Sequence, residues 1–230
     1  MKFEEKLVHG TLIKRYKRFL TDVKLDDGTE VVAHCTNSGT MKSCLENGAE
    51  VYLTPVTGPK RKTRFTWEMI KINGDWVGIN TGNPNKLAFE AISSNQIPGL
   101  EGFAFIKREV KFGDSRFDVY AENGQEKCFI EVKNVTLKEG KYALFPDAVT
   151  TRGQKHLKTL VEVKKNGMRA VMLYIVQRSD VEIFAPAVEI DPAYAKALKE
   201  AVKSGVEIIV MQAKVTPREI VLFKKLPAEI

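Results

Sequence analysis

The stretch Asn80-Thr81-Gly82-Asn83-Pro84 divides the chain into two unlike parts. Before it, the turn-forming groups Asp26-Asp27-Gly28, Asn47-Gly48, Thr57-Gly58-Pro59 and Asn73-Gly74 punctuate short apolar runs, with little helical periodicity. The pattern predicts strands over residues 7–13, 18–25, 30–35, 50–55, 65–72 and 76–80. Short strands at even spacing point to a small barrel or sandwich, and an oligonucleotide-binding (OB-like) barrel over residues 1–82 fits the size. After the divide, the period changes. Residues 85–95 read as a helix with Leu87, Ala88, Ala91 and Ile92 on one face, and Glu90 lies off that stripe. Strands follow at 103–112, 116–120 and 127–133, then a loop at 137–147. A long helix at 150–166 has Leu157, Leu160, Val161 and Lys164 at helical spacing and is stopped by Gly167. Residues 169–176 form the most continuously apolar run, expected at the centre of a sheet. Asp191-Pro192 caps a helix to residue 202, and a buried strand follows at 206–212. This order predicts a mixed α/β domain over 83–230.

The chemistry is concentrated between Glu109 and Lys133. Asn123-Gly124 between two apolar-rich runs predicts a hairpin, because both residues tolerate positive φ. Alternate strand residues share a face, so Glu131 and Lys133 point one way while Ile130 and Val132 point into a core. Pairing of Asp118 opposite Glu131 would gather two carboxylates and an ammonium at one end of a sheet, the outline of a metal-dependent phosphodiester site. Taken alone, the same pattern also describes a solvated face with cross-strand ion pairs. Gln154, Lys155 and Lys158 open the helix after the Glu-x-Lys strand, where free amides and the helix dipole favour an anion.

A formal net charge of +7 favours polyanionic partners. Lys14-Arg15-Tyr16-Lys17-Arg18-Phe19 and Lys60-Arg61-Lys62-Thr63-Arg64-Phe65 each set cations beside an aromatic ring, a mixture that tracks phosphates and stacks on bases; edge-strand lysines that block pairing are the alternative. His34-Cys35 does not make a metal pair, since neighbours on a strand face opposite ways. The segment Asn37-Ser38-Gly39-Thr40 is expected to be a plain turn. No apolar run reaches membrane-spanning length, and the charged first residues lack a signal-peptide core, so a cytoplasmic location is expected. Cys35, Cys44 and Cys128 form no CxxC pair and are expected to be reduced.

Together the chain resembles the SfsA family, the sugar fermentation stimulation proteins. The resemblance rests on Tyr16-Lys17-Arg18-Phe19, His34-Cys35-Thr36-Asn37-Ser38-Gly39, Thr66-Trp67-Glu68, Arg116-Phe117-Asp118, Ile130-Glu131-Val132-Lys133-Asn134, Phe145-Pro146-Asp147-Ala148-Val149-Thr150 and Arg152-Gly153-Gln154-Lys155-His156. It implies an OB-like domain followed by a restriction-endonuclease-like, PD-(D/E)xK domain. It also implies DNA binding and a regulatory link to sugar, here maltose, metabolism. Position by position, it implies that Asp118, Glu131 and Lys133 are the nuclease core and Gln154 the auxiliary polar residue, with Glu109 or Glu90 as the first acid and Glu109 preferred. Phe117 stands where the motif's proline would be. Asp118, Glu131 and the Val132 carbonyl would hold Mg²⁺ or Mn²⁺. DNA, single-stranded or duplex, would lie along Lys17, Arg18, Lys60, Arg61, Arg64, Arg116 and Lys155. Whether the protein cleaves DNA or only binds it, and whether it forms a homodimer, stay open at the level of sequence.

Overall fold

The structure is a computed structural model that describes residues 1–59 and 61–230; Lys60, one of the expected nucleic-acid contacts, lies outside the described residues. The first strands are β1 (Val8–Tyr16), β2 (Leu20–Leu25), β3 (Glu30–His34), β4 (Glu50–Pro55) and β5 (Phe65–Ile72). They run in the order β3-β2-β1-β4-β5, and β3 returns to pair in parallel with β5 through Ala33 and Phe65. The sheet therefore closes into the five-stranded OB barrel. Leu12, Val23, Ala33, Val51, Leu53, Trp67 and Ile70 fill its interior. A sixth strand, β6 (Asp75–Gly78), folds back on β5 across Asn73 (φ 52°) and Gly74 (φ 87°). Two left-handed residues in a tight hairpin turn are what an Asn-Gly pair supplies at least cost.

The second domain is built on a six-stranded sheet. Its strands are β7 (Phe105–Phe112), β8 (Ser115–Glu122), β9 (Lys127–Val135), β12 (Arg169–Val176), β14 (Glu207–Val215) and β15 (Ile220–Lys225), in the order β15-β14-β12-β9-β8-β7. Strands β9, β12 and β14 are parallel and the outer pairings antiparallel. Helix α1 (Asn83–Ser93) covers one face with Leu87, Ala88, Ala91 and Ile92, packed on Val119, Ile130 and Val132. Helices α2 (Thr151–Lys165) and α3 (Pro192–Lys203) cover the other. Both are capped from the sequence, Thr150 accepting from the Gly153 amide and Asp191 from that of Tyr194.

Two expectations are corrected here. The 137–147 loop is a hairpin, β10 (Leu137–Glu139) and β11 (Tyr142–Phe145), extended in parallel by β13 (Ile183–Pro186). Strands of three or four residues carry no readable period, and their stability comes from a partner some forty residues on. The buried stripe of α2 is also rotated from the expected one: it runs Gly153, His156, Leu157, Leu160 and Val163, leaving Val161 and Lys164 partly exposed.

The domains are joined by a polar seam. Gly78 N–H donates to the Gln177 carbonyl at 2.9 Å, and Gln177 Nε2 donates to Asn134 Oδ1 at 2.9 Å and to the Gly78 carbonyl at 3.3 Å. Arg178 is 1% exposed and donates to Ser43 Oγ, the Thr136 carbonyl and both oxygens of Asp180. Gly39 abuts Asp147 so closely that a Cβ would lie 1.9 Å from a carboxylate oxygen, which is why this turn takes glycine. The first residues also cross over: Met1 N donates to the Ile220 carbonyl and pairs with Glu90 at 3.2 Å. Among the described residues no helix is long and apolar enough to cross a membrane.

Candidate active site

The site forms where β8 and β9 part. Their last regular pair is Val119 with Ile130, so one step further Asp118 stands across from Glu131. There the ladder gives way: Asp118 Oδ2 takes the Val132 amide at 2.8 Å in place of a backbone carbonyl. Its other oxygen accepts from Asn85 Nδ2 of α1 at 2.6 Å. Phe117 belongs to one core and Val119 to the other although they are two residues apart. The strand therefore turns over at Asp118, and the neighbouring edge strand is interrupted at the same level, with Glu109 at φ 57° between the pairs Arg108–Val119 and Val110–Phe117.

Glu131 is 2% exposed. One of its oxygens takes Lys133 Nζ at 2.5 Å and also the His156 Nδ1 proton. Arg152 Nε donates to His156 Nε2 at 3.4 Å, so that nitrogen accepts and Nδ1 is the donor. The other oxygen, Glu131 Oε2, is buried and has no hydrogen-bond partner among the described residues. Burial pushes the Glu131 carboxyl up, but the His156 hydrogen bond and the Lys133 ammonium outweigh it and hold it below its ordinary value. Asp118 goes the other way. Burial and the charge of Glu131 raise it to about 6, against the Val132 amide and Lys133, which lower it. Asp118, raised by burial and by its neighbour's charge, and the orphaned Glu131 oxygen leave the pocket room for positive charge beyond that of Lys133. The groups are all hard oxygens, so the residues present fit Mg²⁺, Mn²⁺ or Ca²⁺. Among the described residues no three His, Cys, Asp or Glu side chains make a ready-made ligand set, so such an ion would rely on Asp118, Glu131, the Val132 carbonyl and water.

The structure thus brings Asp118, Glu131, Val132 and Lys133 together. Gln154 is not among them: its amide donates to Asp191 at 3.1 Å. Glu109 is exposed, 3.8 Å from Arg116 Nη1, and its charge reaches Asp118 only as a minor repulsion. Glu90 is engaged by the Met1 ammonium. Arg116 and Lys155 are exposed on the elements flanking the site, whereas Lys17, Arg18, Arg61 and Arg64 are exposed on the barrel. Sequence reasoning missed two residues. His156 was legible in principle, because it shares the inward stripe with Gly153, Leu157 and Leu160; a stripe drawn from apolar residues alone passes over it. Asn85 left no signal, because its contact with Asp118 depends on how α1 docks.

Residues 13–79 match the family description "SfsA N-terminal OB domain", and residues 82–219 match "Sugar fermentation stimulation protein RE domain". A sugar fermentation stimulation protein homolog of Geobacter sulfurreducens is 52% identical over 222 residues, covering 96% of this chain and 95% of its own. One of Geobacter metallireducens is 50% identical and covers 99% of both. Among solved structures, that of Pyrococcus furiosus SfsA in complex with Ca²⁺ superposes with a TM-score of 0.90 at 32% identity, covering 100% of this chain and 98% of that one.

Proposed function

The chain belongs to the sugar fermentation stimulation protein family, and on that premise we propose that it binds DNA and hydrolyses phosphodiester bonds at Asp118, Glu131 and Lys133 with a divalent cation. The observation that carries the reading is Glu131 Oε2, a carboxylate oxygen buried without a partner beside a second carboxylate of raised pKa. A buried, unpaired anionic oxygen is costly to the fold, and an ion in that position removes the cost. That the Pyrococcus furiosus relative was crystallised with Ca²⁺ supports a hard, oxygen-seeking cation; we assign Mg²⁺ or Mn²⁺ for turnover.

When bound, the ion supplies Lewis acidity and charge compensation at the attacked phosphate. The protein does the positioning. Asn85 and the Val132 amide fix the Asp118 carboxylate, and His156 fixes one oxygen of Glu131 so that the other stays available. Lys133, 16% exposed at its side chain and anchored on Glu131, presents a fixed positive charge to the negative charge that grows on the phosphate during attack. Gln154, held on Asp191, orients the start of α2 rather than the phosphate.

A second reading is a DNA-binding regulator of sugar metabolism, maltose in particular, that keeps the nuclease fold without turnover. One observation favours it: both carboxylates already hold protein hydrogen bonds, and no third acidic or imidazole ligand joins them among the described residues. Incubating the protein with end-labelled single-stranded, duplex and branched DNA, in Mg²⁺, Mn²⁺ or EDTA, separates the two. Products that need metal and vanish in Lys133→Ala, with DNA affinity retained, establish the nuclease. Salt-sensitive binding without products establishes the regulator.

A further inference from the structure

Two hollows lie side by side on the barrel's flank. One, of about 530 Å³, is an interdomain cleft with Arg15, Arg18 and Asn37 on the barrel wall and Asn134, Asp147 and Thr150 on the other. The second, of about 520 Å³, is lined by His34, Thr36, Arg61 and Asn80 among others, and by Glu68, which is buried and bonded to Thr54, Asn80 and Asn83. Only the Thr36–Asn80–Thr81 ridge separates them, knitted by Thr36 Oγ1 to Asn80 Oδ1 at 3.2 Å and the Thr81 amide to Thr36 Oγ1 at 3.0 Å. The cleft reaches the start of α2: Thr150, which caps that helix, lines it, and His156 on the same helix holds Glu131.

The turn between β1 and β2 overhangs this route. Lys17 (φ 49°) and Arg18 (φ 62°) are both left-handed, though neither is Gly, Asn or Asp. Such strain persists only where surroundings enforce it and gathers at ligand sites. Arg15 enforces it: its Nε donates to the Arg18 carbonyl at 2.9 Å, and its Nη2 to the Asn37 and Gly39 carbonyls at 2.7 and 3.1 Å. Arg15 is thereby spent on the scaffold, while Arg18 extends, exposed, into the cleft. The next residue, Phe19, is 46% exposed and stacks on His34 at 6.3 Å between centroids, and His34 lines the second hollow. A cation over one hollow and an aromatic ring beside the next offer one contact for a phosphate and one for a base. Asp147, the one acidic residue of the cleft lining, is turned onto Gly39 and the Met41 amide.

We propose that this path conducts one strand of DNA, not a duplex, to the carboxylates, with Arg18 contacting a phosphate and Phe19 stacking on a base. The inference rests on the phosphodiesterase reading above and adds the substrate class. The two walls are tied to one another, since Gln177 and Arg178 of the second domain donate to the Gly78 and Ser43 carbonyls of the barrel. A volume of about 530 Å³ suits a ligand of one or two nucleotides.

The test is fluorescence anisotropy in EDTA, where no cleavage intervenes, with a labelled oligothymidylate and a hairpin-free duplex of the same length, across a salt series. Both substituted side chains are exposed, so the variants should fold, and their circular dichroism is recorded first. The single strand should bind at least tenfold more tightly than the duplex. Phe19→Ala should weaken single-strand binding by roughly five- to a hundredfold at little change in salt slope. Arg18→Ala should reduce the log–log salt slope by about 0.7, and Arg18→Lys should restore it. Equal affinity for the two probes, or unchanged binding in both alanine variants, overturns the path while leaving the nuclease reading intact. No binding of either probe overturns both.

Discussion

Replacing Asp118 by Asn should make the protein more stable while abolishing its metal response. A carboxyl raised from 3.8 to about 6 by burial and by Glu131 costs the fold about 3 kcal/mol once ionised, at about 1.4 kcal/mol per tenfold in proton affinity. The amide removes that charge. It keeps a carbonyl for the Val132 N–H, and Asn85 can rotate its own carbonyl towards the new amide. It loses the extra strength of hydrogen bonds to a charged acceptor, about half of the gain, leaving ~1.5 kcal/mol. For a chain of this size that is a rise in Tm of about 3–6 °C. The pH dependence follows from the direction of the shift. Between about 4 and 6 the folded state holds a proton on Asp118 that the unfolded state has released, so wild type gains stability as pH falls through that window. Because the swing of about 3 kcal/mol is twice the gap at pH 8, the Tm gap between variant and wild type should be full at pH 8, vanish near about pH 5 and reverse below it. Adding Mg²⁺ or Mn²⁺ at pH 8 should raise wild type and leave Asp118→Asn where it was, because only a form that binds ligand is stabilised by it. Differential scanning calorimetry across pH, with and without metal, reads all of this. A gap that is constant with pH, or a variant that responds to metal as wild type does, would refute the assignment.

Gly78→Ala places a Cβ 2.5 Å from Gln177 Oε1 and 3.1 Å from its Cβ; urea unfolding should show a loss of about 1–3 kcal/mol, and limited proteolysis should cut first between the domains. Arg178→Met removes a buried guanidinium and leaves Ser43, the Thr136 carbonyl and Asp180 short of a donor; the cost should be about 3 kcal/mol or more, read as a lower denaturant midpoint. His156→Ala should weaken Mn²⁺ binding by titration calorimetry, since Glu131 is then held by Lys133 alone, whereas Gln154→Ala should disturb the Asp191 cap and lower Tm with metal affinity unchanged.

The barrel and the sheet were written locally. Turn pairs such as Asn73-Gly74, the apolar run of β12 and the Asp191 cap each specify their own segment, and the two-domain order follows from them. The Glu131–Lys133 ion pair was likewise legible, because a period of two fixes which side chains share a face. What the sequence could not carry were facts about distance between remote elements. Short strands β10, β11 and β13 exist only because they meet, Glu90 is claimed by the ammonium of Met1, remote in sequence, and Gln154 is drawn to Asp191 rather than to the carboxylates. The opposed pKa values of Asp118 and Glu131 belong to the same class. Both are carboxylates in β-strands, and only the docking of α1 on one face and α2 on the other gives the first an amide and the second an imidazole. Periodicity runs along a chain, whereas desolvation and partner choice depend on what is packed across it.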